Sequence, residues 1–246
     1  MHIVLIDVRK GKKRVIREDE RGTHTAYGRI PRKLAEKYVG RYIPGKPLAV
    51  AKLSLREAAY KPNKFRYATQ IIYPEDRGTI VTFADITPEK EVLEAGTGSG
   101  FLASFLTRHA KKVYTYEIRE EHYKRAVKNM RYLARKNSRV AYNADVREAK
   151  EKVDAVVLDL PNPRDVIPHI RSNLRPGGRI VVLVPTYNQV EKTYKTLKEL
   201  GFLDIFARES IVRDLSLKPN AVRPEVRGIT FRIFTLFARL IVYRAF

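Results

Sequence analysis

The sequence predicts an α/β protein: a doubly wound, mostly parallel sheet preceded by a small β-rich module. Three observations predict it. From Glu91 onward, short apolar runs alternate with stretches of helical period, the pattern of parallel strands joined by crossover helices. The first of these runs ends in Glu94 and three alternate glycines, Gly96, Gly98 and Gly100, and the apolar stretch Phe101–Leu106 follows at once. That order reads as a buried strand, a tight turn and a helix start. Residues 1–60 instead hold short β-prone runs between turn residues. The expected division is a β-rich domain over 1–60 and an α/β domain over 61–246.

In chain order, strands are expected at His2–Val8, Arg14–Arg17, Gly22–Ile30 and Pro47–Leu55. Lys61–Tyr73 is a linker. Pro74, with Glu75 and Asp76 in the following turn, opens a helix running to about Asp85. Then come strand Glu91–Ala95, helix Gly100–His109, strand Lys112–Glu117, helix Glu120–Lys136, and strands Arg139–Asn143 and Val153–Leu158. Helix Arg164–Leu174, a Pro176-Gly177-Gly178 turn, strand Arg179–Val184 and helix Asn188–Leu200 follow. Two last strands, Phe202–Arg213 and Ile229–Tyr243, suit an antiparallel sheet edge.

Composition narrows the function. There are 49 Lys and Arg against 27 Asp and Glu, a net charge of +22 spread along the chain. Such a balance points to a polyanionic partner, nucleic acid first. The N-terminal module holds many of these cations (among them Arg9, Lys10, Lys12, Lys13, Arg14 and Arg41), which suggests substrate docking; a solvated cap used in oligomerisation is the alternative. With no cysteine, disulfides, thiolate metal sites and thiol nucleophiles are excluded, and so is ring attack on pyrimidine C5 by a cysteine. The five histidines lack ligand spacing, and no G-x-S-x-G occurs. No metal is expected. Abundant charged residues with few thermolabile ones look thermophilic. No leader or membrane span is expected, because Asp7 cuts the first apolar run short and arginines break the last. The expected location is the cytoplasm.

In a doubly wound sheet, ligands lie beyond the carboxyl ends of the strands. Four such ends here carry acids. The first has Glu94 and the glycine loop, where a carboxylate repels phosphate and favours a cationic ligand. Counted from Gly96, Phe101 stands where the last glycine would fall, so the dinucleotide fingerprint fails, and no Lys-Ser/Thr follows to make a P-loop. The second end has Glu117, about 20 residues after the glycines, where an acid can take both ribose hydroxyls. The third leads to Asp145 and Val146, placed to meet an adenine edge. The fourth is Asp159 in Asp159-Leu160-Pro161-Asn162-Pro163, which two prolines hold extended. A carboxylate fixed there can accept a hydrogen bond from an amino group and orient a base nitrogen. Each acid alone also reads as a cap or turn residue.

The acidic glycine loop resembles motif I of the class I S-adenosylmethionine-dependent methyltransferases. Thr69–Val81, Val92–Gly100, Tyr116–Glu120, Asp154–Pro163 and Leu174–Lys192 together resemble the tRNA (adenine-N1)-methyltransferases of the T-loop, which act at position 58 and, in some archaeal members, also at 57. The resemblance covers residues 60–246 plus an N-terminal domain of the right size. It implies a Rossmann-like methyltransferase fold with a seven-stranded, mostly parallel sheet, S-adenosylmethionine as cofactor, tRNA as substrate and a homotetramer. Carried over by residue, it implies that Gln70 and the Gly96–Leu102 loop (Gly96, Gly98, Ser99, Gly100, Phe101, Leu102) hold the methionine part of the cofactor, and Glu117 the ribose. Asp145 and Val146 would read its adenine. Asp159 would contact the cofactor amino group or N6 of the target adenine, and Tyr73 would line the target-base pocket. Two segments depart from the family pattern: Asn162-Pro163-Arg164 stands for an Asp-Pro-Trp-like triplet, and Phe231–Phe234 for His-Thr-Gly-Tyr. The alternatives are a catalytically silent tRNA-binding subunit, or an enzyme of the same fold acting on isoaspartyl protein or a corrinoid precursor.

Overall fold

The computed structural model describes residues 2–10, 12–16, 20–52, 71–224 and 233–241. The chain forms two compact units, Met1–Arg66 and Tyr67–Phe246.

In the first unit, β1 (Ile3–Asp7) lies between β2 (Lys13–Ile16) and β5 (Leu48–Lys52), antiparallel to both. Ile3, Leu5, Ile16, Ile30, Ile43, Leu48 and Val50 form its core. The expected strand Gly22–Ile30 is instead a hairpin of β3 (Gly22–Thr25) and β4 (Gly28–Pro31). Thr25 makes the turn: its Oγ1 accepts from the Tyr27 N–H (3.0 Å) and donates to the Gly28 carbonyl (2.8 Å). The short helix α1 (Arg32–Lys37) was not expected; Pro31 precedes it in extended conformation, and it buries a single side chain, Ala35.

In the second unit, seven strands form one sheet. They are β6 (Glu91–Ala95), β7 (Lys112–Tyr116), β8 (Arg139–Tyr142), β9 (Val153–Leu158), β10 (Leu174–Val184), β11 (Phe202–Glu209) and β14 (Phe234–Leu240). Their order is β11-β14-β10-β9-β6-β7-β8, with β8 through β10 parallel and β14 antiparallel to both neighbours. β14 therefore inserts between β10 and β11, and of these last two strands only β11 is an edge; β8 is the other edge of the sheet. The connection between them carries a two-residue ladder, β12 (Leu215–Ser216) with β13 (Arg223–Pro224).

Strand pleating sorts the core into two layers, because alternate residues face opposite ways. Leu93, Val156, Leu158, Val182 and Leu236 pack on one face, against Leu197 of helix α6 (Tyr187–Glu199). Val92, Val157, Val181 and Phe237 pack on the other, against Ile80 of α2 (Pro74–Phe83) and Leu102 and Leu106 of α3 (Phe101–Leu106). Helix α4 (Glu120–Leu133) completes the outer layer through Ala126 and Met130 against Ala103.

The expected helix Arg164–Leu174 is broken. Only Ile167–Ile170 (α5) is α-helical, between 3₁₀ turns at Pro163–Asp165 and Arg171–Asn173. Pro163 and Pro168 each lack a donor N–H and restrict the residue before them, which prevents a longer regular helix. The Pro176-Gly177-Gly178 turn is a bulge inside β10: Leu174 pairs with Val153 and Arg179 with Ala155, so the residues between are looped out.

The chain builds outward from β6 to β7 and β8, then returns to place β9 on its other side. That reversal opens a crevice at the carboxyl ends of β6 and β9. Gly96, at φ +90°, closes the seam there; a Cβ on it would lie 2.0 Å from the Asp159 carbonyl oxygen. We predict that Gly96→Ala forces the two strand ends apart and costs about 2–4 kcal/mol. Thermal unfolding should show a fall of roughly 5–15 °C. An unchanged midpoint would show that the seam yields freely.

Candidate active site

A cavity of about 910 Å³ opens over the β6–β9 crevice. Its floor is Ala95, Gly96 and Gly98; its walls carry Tyr116 and Glu117 after β7, Asp145–Arg147 after β8, and Asp159–Asn162 after β9. Ile71, Ile72, Tyr73 and Asp76 at the start of α2 also line it, as do Leu183, Pro185, Gln189 and Ile233, and Ile72 packs in one cluster with Leu183 and Ile233.

The glycine loop is held by its neighbours. The N–H groups of Gly96 and Thr97 donate to the Tyr116 carbonyl (3.0 and 3.3 Å), and the Asp159 N–H donates to the Ala95 carbonyl (2.9 Å). Glu117 is buried and accepts from the Gly98 N–H (Oε2, 2.9 Å) and the Arg119 N–H (Oε1, 3.0 Å). One lone pair on each oxygen stays available toward the cavity, which suits a vicinal diol. Asn143 Nδ2 donates to the Glu117 carbonyl (2.8 Å) and fixes this corner.

Asp145 caps the 3₁₀ turn Val146–Glu148 by accepting from the Arg147 N–H (2.9 Å), and the Arg147 guanidinium bridges its carboxylate. That pairing holds the Asp145 carboxyl below the usual carboxylate range. Val146 is buried beside it. Across the cavity, burial, with help from the Glu117 charge, pushes Asp159 up to about 6. Asp159 is thus half-ionised near pH 6 and a carboxylate at neutral pH, able to accept a hydrogen bond in a site of low dielectric.

Of the residues expected from sequence, Tyr73, Gly96, Gly98, Glu117, Asp145, Val146 and Asp159 come together here. Gln70 lies outside the described residues. Ser99, Gly100, Phe101 and Leu102 stand behind the loop. The Ser99 carbonyl takes a hydrogen bond from Asn129 (2.8 Å), Gly100 packs against Met130 and Ala126, and Phe101 and Leu102 are buried. Glu94 also stands behind the wall, because strand alternation turns it toward the α3 face. There it accepts from the Thr115 hydroxyl, while Oε1 has no partner among the described residues. Burial, only partly opposed by the Thr115 hydrogen bond, pushes Glu94 up to about 8. The expectation that its charge greets a cationic ligand therefore fails on position and on protonation.

Three residues escaped the sequence reading. Asp76, taken there only as a helix-dipole partner, is buried and lines the cavity. Arg147 is the partner that orients Asp145. Gln189 lies three residues after the N-cap Thr186, a capping-box spacing that was legible. Its N–H donates to Thr186 Oγ1 (3.3 Å) and its Oε1 takes the Thr186 hydroxyl (2.8 Å), so its Nε2 is aimed at the Pro161 carbonyl (3.1 Å). It ties the Asp159 loop to α6.

Fold and site together define a Rossmann-like methyltransferase. A family profile described as tRNA methyltransferase complex GCD14 subunit matches residues 63–226, and the chain belongs to that family. The Methanocaldococcus jannaschii protein named tRNA (adenine(57)-N(1)/adenine(58)-N(1))-methyltransferase TrmI is 34% identical over 200 residues, 69% of this chain and 71% of that one. Two crystal structures share the fold along nearly the whole length. A Thermotoga maritima protein described as a SAM-dependent O-methyltransferase has TM-score 0.87 and 30% identity, covering 99% of this chain and 94% of its own. Aquifex aeolicus TrmI, described as a tRNA (m1A58) methyltransferase, has TM-score 0.82 and 25% identity, covering 99% and 98%.

The Glu94 environment makes stability depend on pH. Its folded value lies above the unfolded 4.5, so the native state binds the extra proton. The contribution of Glu94 is full below pH 4.5 and is lost as pH rises toward 8, by up to about 5 kcal/mol. Glu94→Gln should match the wild type near pH 5 and exceed its Tm at pH 8.5. Parallel Tm curves over that range would contradict the assignment.

Proposed function

We propose that the chain is a cytoplasmic, homotetrameric enzyme that transfers a methyl group from S-adenosylmethionine to N1 of adenosine 58 in the tRNA T-loop, with 57 as a second target. The observation that carries the reading is one cavity joining the glycine turn, Glu117 and Asp159 in a chain of this family. The residues fit the cofactor. Gly96 leaves backbone open to a ligand, Glu117 offers diol acceptors, Asp145 offers an amine acceptor, and Val146 and Leu160 give apolar contact.

On this reading Gly96 and Gly98 would hold the methionine part, with Gln70 in support, Glu117 the ribose, and Asp145 and Val146 the adenine. Bound there, S-adenosylmethionine supplies an electrophilic methyl carbon. The protein has then to present the N1 lone pair to it. Asp159 accepts a hydrogen bond from N6 of the target adenine, which fixes the base edge and stabilises the positive charge that grows on the ring as N1 is alkylated. Its carboxylate would take the N6 proton. Tyr73 supplies a wall for the extruded base. N1 is on the Watson–Crick edge, so the base must leave its stack at a cost of a few kcal/mol. Lys and Arg contacts to phosphate would offset that, with the cations of residues 1–60 as the docking module.

The assay is transfer of labelled methyl from S-adenosylmethionine to an unmodified tRNA transcript, mapped by reverse-transcription stops. We expect a stop at 58, and at 57 if both are methylated, with Asp159→Ala slower by roughly 100-fold or more. Transfer should weaken steeply as salt rises. Undiminished transfer by the variant, or none by the wild type, would overturn the reading.

The homotetramer draws support from Ile211, Leu215, Leu217 and Val222, exposed apolar side chains on the connection between β11 and β14 that a second copy would cover. Sedimentation should give four times the 28.4 kDa chain mass; a monomer at micromolar concentration would refute it.

A further inference from the structure

We infer that Tyr187 is a stacking platform at the cavity rim, taking the nucleobase beside the target adenine. This rests on the proposed tRNA substrate and adds a residue that selects the substrate's bent-out conformation. Tyr187 is 73% exposed, although its neighbours two positions away on either side, Pro185 and Gln189, both line the cavity. It opens α6, directly after the N-cap Thr186, so its backbone is fixed by the same capping bonds that tie Gln189 to the Asp159 loop.

Its ring is also held. It lies 4.5 Å, centroid to centroid, from Phe234 at 36°, and Phe234 pairs with Val184 at the carboxyl end of β10, next to the cavity-lining Ile233. One face of Tyr187 is thus supported by an aromatic packed on the core, while most of the side chain meets solvent. A large aromatic side chain kept exposed yet braced against the core is the arrangement single-stranded bases use for stacking, since every base offers a π-face.

The charges around it suit that ligand. Buried Glu117 and Asp76 and half-buried Asp159 line the cavity, while Arg119 and Arg147 on its lining are more than half exposed, and the exposed lining acid Asp165 is paired with Arg164. An extruded nucleotide meets this order in its own sequence, with its base inward and its phosphates at the rim. The stacked neighbour then holds the strand open. Stacking of this kind is worth about 1–3 kcal/mol per base.

The chain contains no tryptophan, so Tyr187→Trp creates a single reporter. Titrated with tRNA transcript, this variant should show quenching that heparin, a polyanion without bases, does not produce. In the transfer assay Tyr187→Ala should lose roughly 5- to 100-fold in kcat/KM for tRNA. Tyr187→Phe should keep wild-type values, and all variants should bind S-adenosylmethionine alike. Equal quenching by heparin, quenching that follows protein concentration rather than RNA, or full activity of Tyr187→Ala would each overturn the inference. Wild-type protein that methylates no tRNA would instead sink the proposed function, independently of Tyr187.

Discussion

The molecule turns on the seam between β6 and β9. These strands are neighbours in the sheet and far apart in the chain, and the crevice above them exists because the connections run off to opposite sides. The Asp159 N–H reaches the Ala95 carbonyl, and Gly96 lies so close to the Asp159 carbonyl that no side chain fits between them. A glycine loop and a cavity-lining acid drawn from separate segments are thereby locked into one wall. The prolines after Asp159 and the Gln189 bond to Pro161 extend that rigidity outward to α6. A methyl carbon and a ring nitrogen must be aligned to react, so the geometry has to be set by the scaffold before either partner arrives.

The same seam sets the electrostatics. Glu94 and Asp159 sit at the ends of adjoining strands, both largely removed from water, and both are pushed above the ordinary carboxylate range. They differ in degree because Glu94 points into the layer between sheet and helix, whereas Asp159 faces the cavity. One acid is therefore mostly neutral at pH 7 and acts as a structural hydrogen-bond partner of Thr115. The other is ionised and available.

Much of this was legible in the sequence, and the misses have physical causes. The strand–turn–helix around Gly96 could be read because glycine spacing and apolar runs are local signals. Val153–Leu158 was expected with its observed bounds, since the apolar run Ala155–Leu158 ends at Asp159 and leaves little latitude. Helix Arg164–Leu174 failed because two prolines outweighed a helical period. The Gly22–Ile30 hairpin was missed because its turn depends on a Thr25 side-chain bond, not on an Asn-Gly or Gly-Pro pair. The strand ends led to Glu117, Asp145 and Asp159, which line one cavity, but which way an acid faces is decided by pleat parity, and Glu94 faces away from it. Asp76 escaped because its place at the cavity comes from packing between segments distant in the chain, whereas Arg147 escaped because its bond to Asp145, only two residues away, depends on the 3₁₀ turn that follows β8.

A protein with this reading has conflicting electrostatic duties: it must attract a polyanion, yet offer acids to a cofactor carrying a sulfonium and an ammonium. A net charge of +22 with acids scattered at random would serve neither duty. Depth resolves the conflict. Each buried acid of the cavity is shielded from approaching phosphate by a low-dielectric wall, and exposed Arg119 and Arg147 stand beside Glu117 and Asp145 and screen them further. The long-range field felt by RNA is then that of the rim and the basic surface, while the short-range field within the cavity is acidic. Salt weakens the first far more than the second, so ionic strength should separate RNA capture from the chemistry at Asp159.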